Sequence, residues 1–203
     1  MTGPSVEATP QVRASQSAVL TPILAAALDA FDEHSFHGAT VRDIARRVGM
    51  TVPALYYHHE NKEAMLYALL DASITRLAEL CGEVDTPGAS PRHRYTALVE
   101  CLVRYTAVSR KLSRLDAEIR SLTPAHRATY SEKRASIELR LLSALTDGAA
   151  ADQFDVTFPR ETVRALVGMI QAITTWFDVD GELSLDTFVH RYLDIAGRMA
   201  GAR

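Results

Sequence analysis

Seven histidines, two cysteines and 25 Asp/Glu are the residues through which this 203-residue chain could do chemistry, and their spacing argues against most of it. No two histidines stand four apart on a predicted helix with a third ligand in reach, as a zinc site needs. His58 and His59 are neighbours, about 100° apart around a helix, and cannot clamp one ion together. Residues 178–182, Asp-Val-Asp-Gly-Glu, begin like a calcium loop but lack the twelve-residue spacing and its closing Glu, so a capped turn between two helices is expected. Glycine-rich phosphate loops, a nucleophile elbow and paired catalytic carboxylates are absent. The chain is therefore expected not to be an enzyme and to hold neither metal nor cofactor.

The side chains that do suggest a function lie in residues 40–66, TVRDIARRVGMTVPALYYHHENKEAML. Thr40 can cap a short helix whose apolar residues Val41, Ile44, Ala45 and Val48 follow one face of a 3.6-residue period. Gly49 supplies the left-handed residue that ends it, and Thr51 caps a second helix with Pro53 in its first turn. Ala54 and Leu55 point inward there, while Val52, Tyr56, Tyr57 and His58 point outward. Two helices joined by a short Gly-containing turn form the helix-turn-helix that reads DNA, the second helix entering the major groove. The residues expected at the DNA are Thr40, Arg42, Thr51, Tyr56, Tyr57, His58 and Lys62, with hydroxyls and Lys62 on phosphates and Val52 and Pro53 against thymine methyls.

This stretch and the helix before it, roughly residues 21–80, resemble the N-terminal domain of the TetR family of transcriptional regulators. The resemblance is carried by Ile23, Leu24, Ala26, Ala27 and Phe31; Gly38, Thr40 and Val41; Ile44, Ala45 and Gly49; Ala54, Leu55 and Tyr56; and Lys62 and Glu63. Val52 and Pro53 stand where the family usually has a small or basic pair, and His59 where an aromatic commonly closes the recognition helix. The resemblance implies a ligand-responsive repressor that binds a palindromic operator as a homodimer.

Charge does not advertise nucleic-acid binding. The net charge is −3, and residues 1–80 carry six Lys/Arg against nine Asp/Glu. Contact with DNA must rest on a local stripe of Arg42, Arg46, Arg47 and Lys62 together with helix N-termini. Cys81 and Cys101 lack CxxC spacing, and no apolar run approaches the roughly 18 residues that span a membrane. A soluble cytoplasmic protein with packed, reduced cysteines is expected.

The remaining chain reads as helix throughout. Residues 1–16 form an aperiodic Thr/Ser/Pro arm expected to be disordered, whose single cation Arg13 makes a minor-groove role a weak expectation. Residues 17–60 form the helix-turn-helix domain and 61–80 a connector helix. Residues 81–203 form an effector-binding and dimerisation domain, separated by a Gly/Pro loop at 83–91. Helices are expected over about 92–108, 111–121, 124–147, 159–177 and 185–199, giving an all-α chain of about nine helices.

Apolar and polar residues interleave in the second half. Leu69, Ser73, Leu102, Tyr105, Thr106, Arg120, Tyr130, Arg134, Met169, Ile173 and Trp176 are the candidates for an effector pocket, since a small-molecule site combines apolar walls with a few convergent polar groups. For any one of them bundle core is the default, and it is the resemblance that places an effector pocket in this half. The stretch from Trp176 to Ser184 resembles the branch of the family linked to lipid, steroid and acyl-coenzyme A catabolism. An acyl-coenzyme A with its phosphates on Arg120 and Arg134 is expected; Asp116, Glu118 and Glu138 would suit a cation instead. Leu166, Gly168, Ile170 and Ala172 on one helix, with Phe188 and Tyr192 on the next, are the expected dimer surface. The rival reading is a helical carrier or enzyme without DNA binding, in which Tyr56, Tyr57 and Lys62 would be buried.

Overall fold

The computed structural model describes residues 20–202, so the expected arm and Arg13 lie outside the described residues. Among the described residues there are nine α-helices and one 3₁₀ segment: α1 Pro22–Gly38, α2 Val41–Arg47, α3 Val52–His58, α4 Lys62–Val84, α5 Pro91–Val108, α6 Arg110–Arg114, the 3₁₀ segment Leu115–Ser121, α7 Pro124–Ala150, α8 Pro159–Trp176 and α9 Leu185–Met199. The all-α expectation holds, and no described helix is long and apolar enough to cross a membrane.

Most helices start where a hydroxyl or amide can satisfy an orphan N–H. Thr21, Thr40, Thr51, Asn61, Ser90, Thr123 and Ser184 all accept a backbone N–H three residues on, and proline follows four of them. Three boundaries differ from expectation. Helix α4 runs on to Val84. The expected helix over 111–121 is α6 and then a 3₁₀ segment. Helix α7 continues through Gly148, where a Cβ would come within 2.3 Å of the Phe154 ring; packing selects the missing side chain there, overriding the loop signal of glycine.

Helix α1 is interrupted at Ser35, whose φ is +59°. The break turns Phe36 inward, edge-on to Phe31 at 5.4 Å. Helices α1–α3 and the start of α4 share one core through Ile44, Leu55, Met65 and Leu66, all completely buried. In the second half α5 is the hub, packing on α4, α7, α8 and α9. It is buried on two sides by Tyr95, Leu98, Val99, Leu102 and Val103, and the Tyr95 hydroxyl donates to the Ala196 carbonyl at 3.2 Å. Cys81 and Cys101 are free thiols in contact between α4 and α5, Sγ to Sγ 4.0 Å.

Candidate functional site

Two sites emerge, one at the start of α4 and one along its middle. The first is the outward face of α2 and α3. Tyr56 is 45% and Tyr57 89% exposed, an arrangement a merely packed helix pair would not adopt. Arg42, Thr51, Pro53 and His58 are exposed beside them, and Val52 is half-buried against the core. Burial, with His58 next to it, pushes His59 below the ordinary histidine pKa, so it adds no charge at neutral pH.

Two of the expected phosphate contacts are otherwise occupied. The Thr40 hydroxyl accepts the Asp43 N–H at 3.1 Å and donates to the Asp43 carboxylate at 2.6 Å. The Lys62 ammonium reaches the carbonyls of Phe36 at 2.7 Å, Ala39 at 2.9 Å and His37 at 3.4 Å, and lies over the Phe36 ring. An ammonium has three N–H donors, and all three face backbone oxygens. Lys62 therefore fastens α4 to the end of α1, and the expectation of a phosphate contact gives way. The stripe of cations is also partly neutralised: Arg46 pairs with Asp43 at 2.9 Å, and Arg47 meets Glu33 through both guanidinium nitrogens at 2.9 and 2.6 Å. Arg42 makes no ion pair among the described residues.

The second site is a cavity of about 690 Å³, its open mouth included, enclosed by α4, α5, α6, α7, α8 and the 3₁₀ segment. Leu70, Ile74, Leu102, Leu112, Ile137 and Val167 give it apolar walls. Of the expected effector residues, Ser73, Leu102, Tyr105, Thr106, Tyr130 and Arg134 line it together. Leu69 and Ile173 are wholly buried in the core, Met169 is partly buried against it, Arg120 is exposed, and Trp176 is 57% exposed. None of these five lines the cavity. Helical periodicity places Leu69 and Ile173 on inward faces but cannot say which inward face meets a void.

Polar groups gather at two stations on the wall. At one, the Ser73 and Tyr105 hydroxyls are 3.0 Å apart and the Tyr105 hydroxyl donates to the Ser73 carbonyl at 2.9 Å. At the other, the Asp116 carboxylate accepts from the Tyr130 hydroxyl, from the Gln171 amide and from Arg134 at 3.1 Å. Burial and the Asp116 charge hold the Tyr130 phenol well above its usual pKa, so it stays a donor. Arg134 also pairs with Glu138 at 3.3 Å. Arg134, expected to meet an effector phosphate, already faces two carboxylates. Asp116 belongs to the site, whereas Glu118 lies 3.8 Å from His37 at the head. Gln171 carried no sequence signal at all.

The expected dimer residues are mostly interior. Leu166, Ile170, Phe188 and Tyr192 are buried within one chain, Ile170 lining the cavity and Phe188 stacking on Phe177 at 3.8 Å. These four cannot be presented to a partner. Gly168 and Ala172 are exposed, and beyond Gly168 there is open space.

A helix-turn-helix whose recognition helix bares its tyrosines, joined by one helix to a lined cavity, defines a ligand-responsive DNA-binding regulator. Residues 23–69 match the profile of bacterial regulatory proteins of the tetR family, and residues 88–200 that of the tetracyclin repressor-like C-terminal domain. The chain belongs to the TetR family of transcriptional regulators. It is 27% identical, over 86% of its length and 87% of the relative's, to the HTH-type transcriptional repressor KstR2 of Rhodococcus jostii RHA1. Among solved structures, a bacterial regulatory protein of the tetR family from Rhodococcus RHA1 superposes with TM-score 0.85 at 26% identity, over 96% of this chain and all of the other. AibR in complex with isovaleryl coenzyme A and operator DNA superposes with TM-score 0.78 at 22% identity, covering 89% and 97%, which bears on the fold alone.

Proposed function

We propose that the chain represses transcription as a homodimer on a palindromic operator and lets go when a lipid- or steroid-derived acyl metabolite, an acyl-coenzyme A among them, enters the cavity. One observation carries the ligand response: α4 serves both sites. Its first residue Lys62 secures the head, Glu63 ties the same end to the start of α7, and Leu70, Ser73, Ile74 and Leu77 further along line the cavity. Glu63 accepts the Thr123 N–H at 2.8 Å and faces His126 Nδ1 at 3.0 Å, with His126 stacked on Tyr67. A ligand that reshapes the cavity therefore tilts the helix that carries the head.

Arg42, Thr51, Val52, Pro53, Tyr56, Tyr57 and His58 form the DNA surface. The Thr51 hydroxyl accepts the Ala54 N–H at 3.3 Å and can still donate to a phosphate. Two such heads must stand about 34–36 Å apart to enter successive major grooves, so a ligand that favours a wider spacing removes the protein by population shift. The partner is met by the exposed side of α8 and α9, where Gly168, Ala172, Trp176 and Ile195 are accessible. The isovaleryl coenzyme A bound to AibR, a chain of the same fold, supports the acyl class.

The test is a gel shift of the chain on its own upstream DNA, titrated with acyl-coenzyme A thioesters and separately with hydrophobic cations. Retardation followed by release with thioesters is expected. Release by cations alone would replace the effector class, and no retardation would remove the repressor reading in favour of a carrier.

A further inference from the structure

Three donors from two helices converge on one point of the cavity wall. Tyr130 and Arg134 stand one turn apart on α7, Gln171 comes from α8, and all three point at the carboxylate of Asp116, which the 3₁₀ segment brings to the rim. A carboxylate only accepts, so the Gln171 amide must turn its NH₂ toward it. The Asp116 side chain is itself 19% exposed, so rotation about χ1 can carry it toward solvent, where water replaces its donors. The segment holding it is 3₁₀, whose hydrogen bonds are poorer than those of an α-helix.

With Asp116 gone, a phenol and an amide are left in the wall without an acceptor and the Arg134 guanidinium keeps only Glu138, which is costly for buried donors. We propose that Asp116 is the chain's own occupant of the effector's polar station, and that the effector carries an oxygen acceptor, a carboxylate or a carbonyl, that takes the Tyr130, Arg134 and Gln171 donors in its place. The hydrocarbon remainder lies along Leu70, Ile74, Leu102 and Ile137. The donors support an acceptor over a cation: Tyr130, Gln171 and Arg134 all present protons to this point, and Asp116 and Glu138 share the one guanidinium. An incoming carboxylate exchanges like for like, and a carbonyl leaves Arg134 paired with Glu138 alone. This rests on the cavity being the effector site, and it deepens that reading by naming the ligand end that is recognised and the residue it competes with.

The measurement is calorimetric titration of the full chain, without DNA, with three probes of equal chain length: nonanoate, nonan-2-one and nonylammonium. Nonanoate or nonan-2-one should bind the wild type and nonylammonium should not. In Asp116→Ala the bound probe should gain about tenfold in affinity, the worth of one charged hydrogen bond no longer to be displaced. Asp116→Asn, which keeps the shape of the side chain, should show a smaller gain and serves if the alanine variant melts near the assay temperature. Tyr130→Phe combined with Arg134→Gln should lose the probe. Nonylammonium binding that disappears in Asp116→Asn would make Asp116 the ligand's counterion and overturn the proposal. So would an unchanged or weaker affinity for the acceptor probes in both Asp116 variants, or no binding of any probe. Since no DNA is present, these failures leave the repressor reading standing, and a failed gel shift leaves this one standing.

Discussion

An ammonium surrounded by three carbonyl oxygens has no proton left for a phosphate, and this is the position of Lys62. Lys62→Ala should therefore act first on stability, lowering it by about 1.5–3 kcal/mol, the range for hydrogen bonds to a charged group. The check is a melt of the DNA-free protein; an unchanged midpoint with weaker DNA binding would restore the phosphate role. Asp85 offers a second residue-scale test. Its carboxylate meets Arg94 at 2.7 Å and Arg140 at 3.2 Å, and the Arg94 hydrogen bond first, then that of Arg140, holds it below the usual carboxylate range. A depressed pKa in the folded chain means stability present above the ordinary aspartate pKa and lost as pH falls through the lowered value. Asp85→Asn should thus melt earlier than wild type at neutral pH, with the gap closing in strong acid. A gap that stays constant from neutral pH into strong acid would remove the charge from the account.

At the scale of elements, the short α6 and the 3₁₀ segment after it are where the body touches the head. Lys111 reaches Asp29 at 2.7 Å and Arg114 reaches Asp32 at 3.2 Å, both on α1, while Asp116 faces the cavity from the same stretch. These exposed pairs contribute about 0–1 kcal/mol each to stability. Lys111→Ala with Arg114→Ala should leave melting and ligand affinity nearly unchanged but raise the ligand concentration needed to release DNA. Equal release in wild type and double variant would show that α4 alone transmits the signal. This stretch also marks how far the sequence could be read. The capped helices, the helix-turn-helix and the α8–α9 pair were legible because Thr21, Thr40, Thr51, Asn61 and Ser184 are local signals. The change from α6 to 3₁₀ was not, since no residue in KLSRLDAEIRS forbids a continuous helix. The interleaving of apolar and polar residues singled out Leu102, Tyr105 and Tyr130, which with Ser73, Thr106 and Arg134 make up a third of the cavity lining. It could not separate them from Leu69 or Ile173, because a void is a property of several helices together.

For the whole molecule, the buried state of Phe188, stacked on Phe177 and tilted against Tyr192 at 4.6 Å, means that Phe188→Asp would unfold the chain before it could split a dimer. Gly168→Arg is the better probe, because the space beyond Gly168 is open within one chain. Sedimentation should then show a folded monomer that no longer binds a palindrome; a persistent dimer would place the interface elsewhere. The head's charge pattern reaches furthest. With Arg46 on Asp43, Arg47 clamped to Glu33 and Lys62 turned inward, few phosphates per head are neutralised, and non-specific affinity for duplex comes almost wholly from such neutralisation. The bulk of a chromosome therefore acts as a poor sponge for this protein. On the proposed reading, a small number of copies per cell then remains free to find the operator.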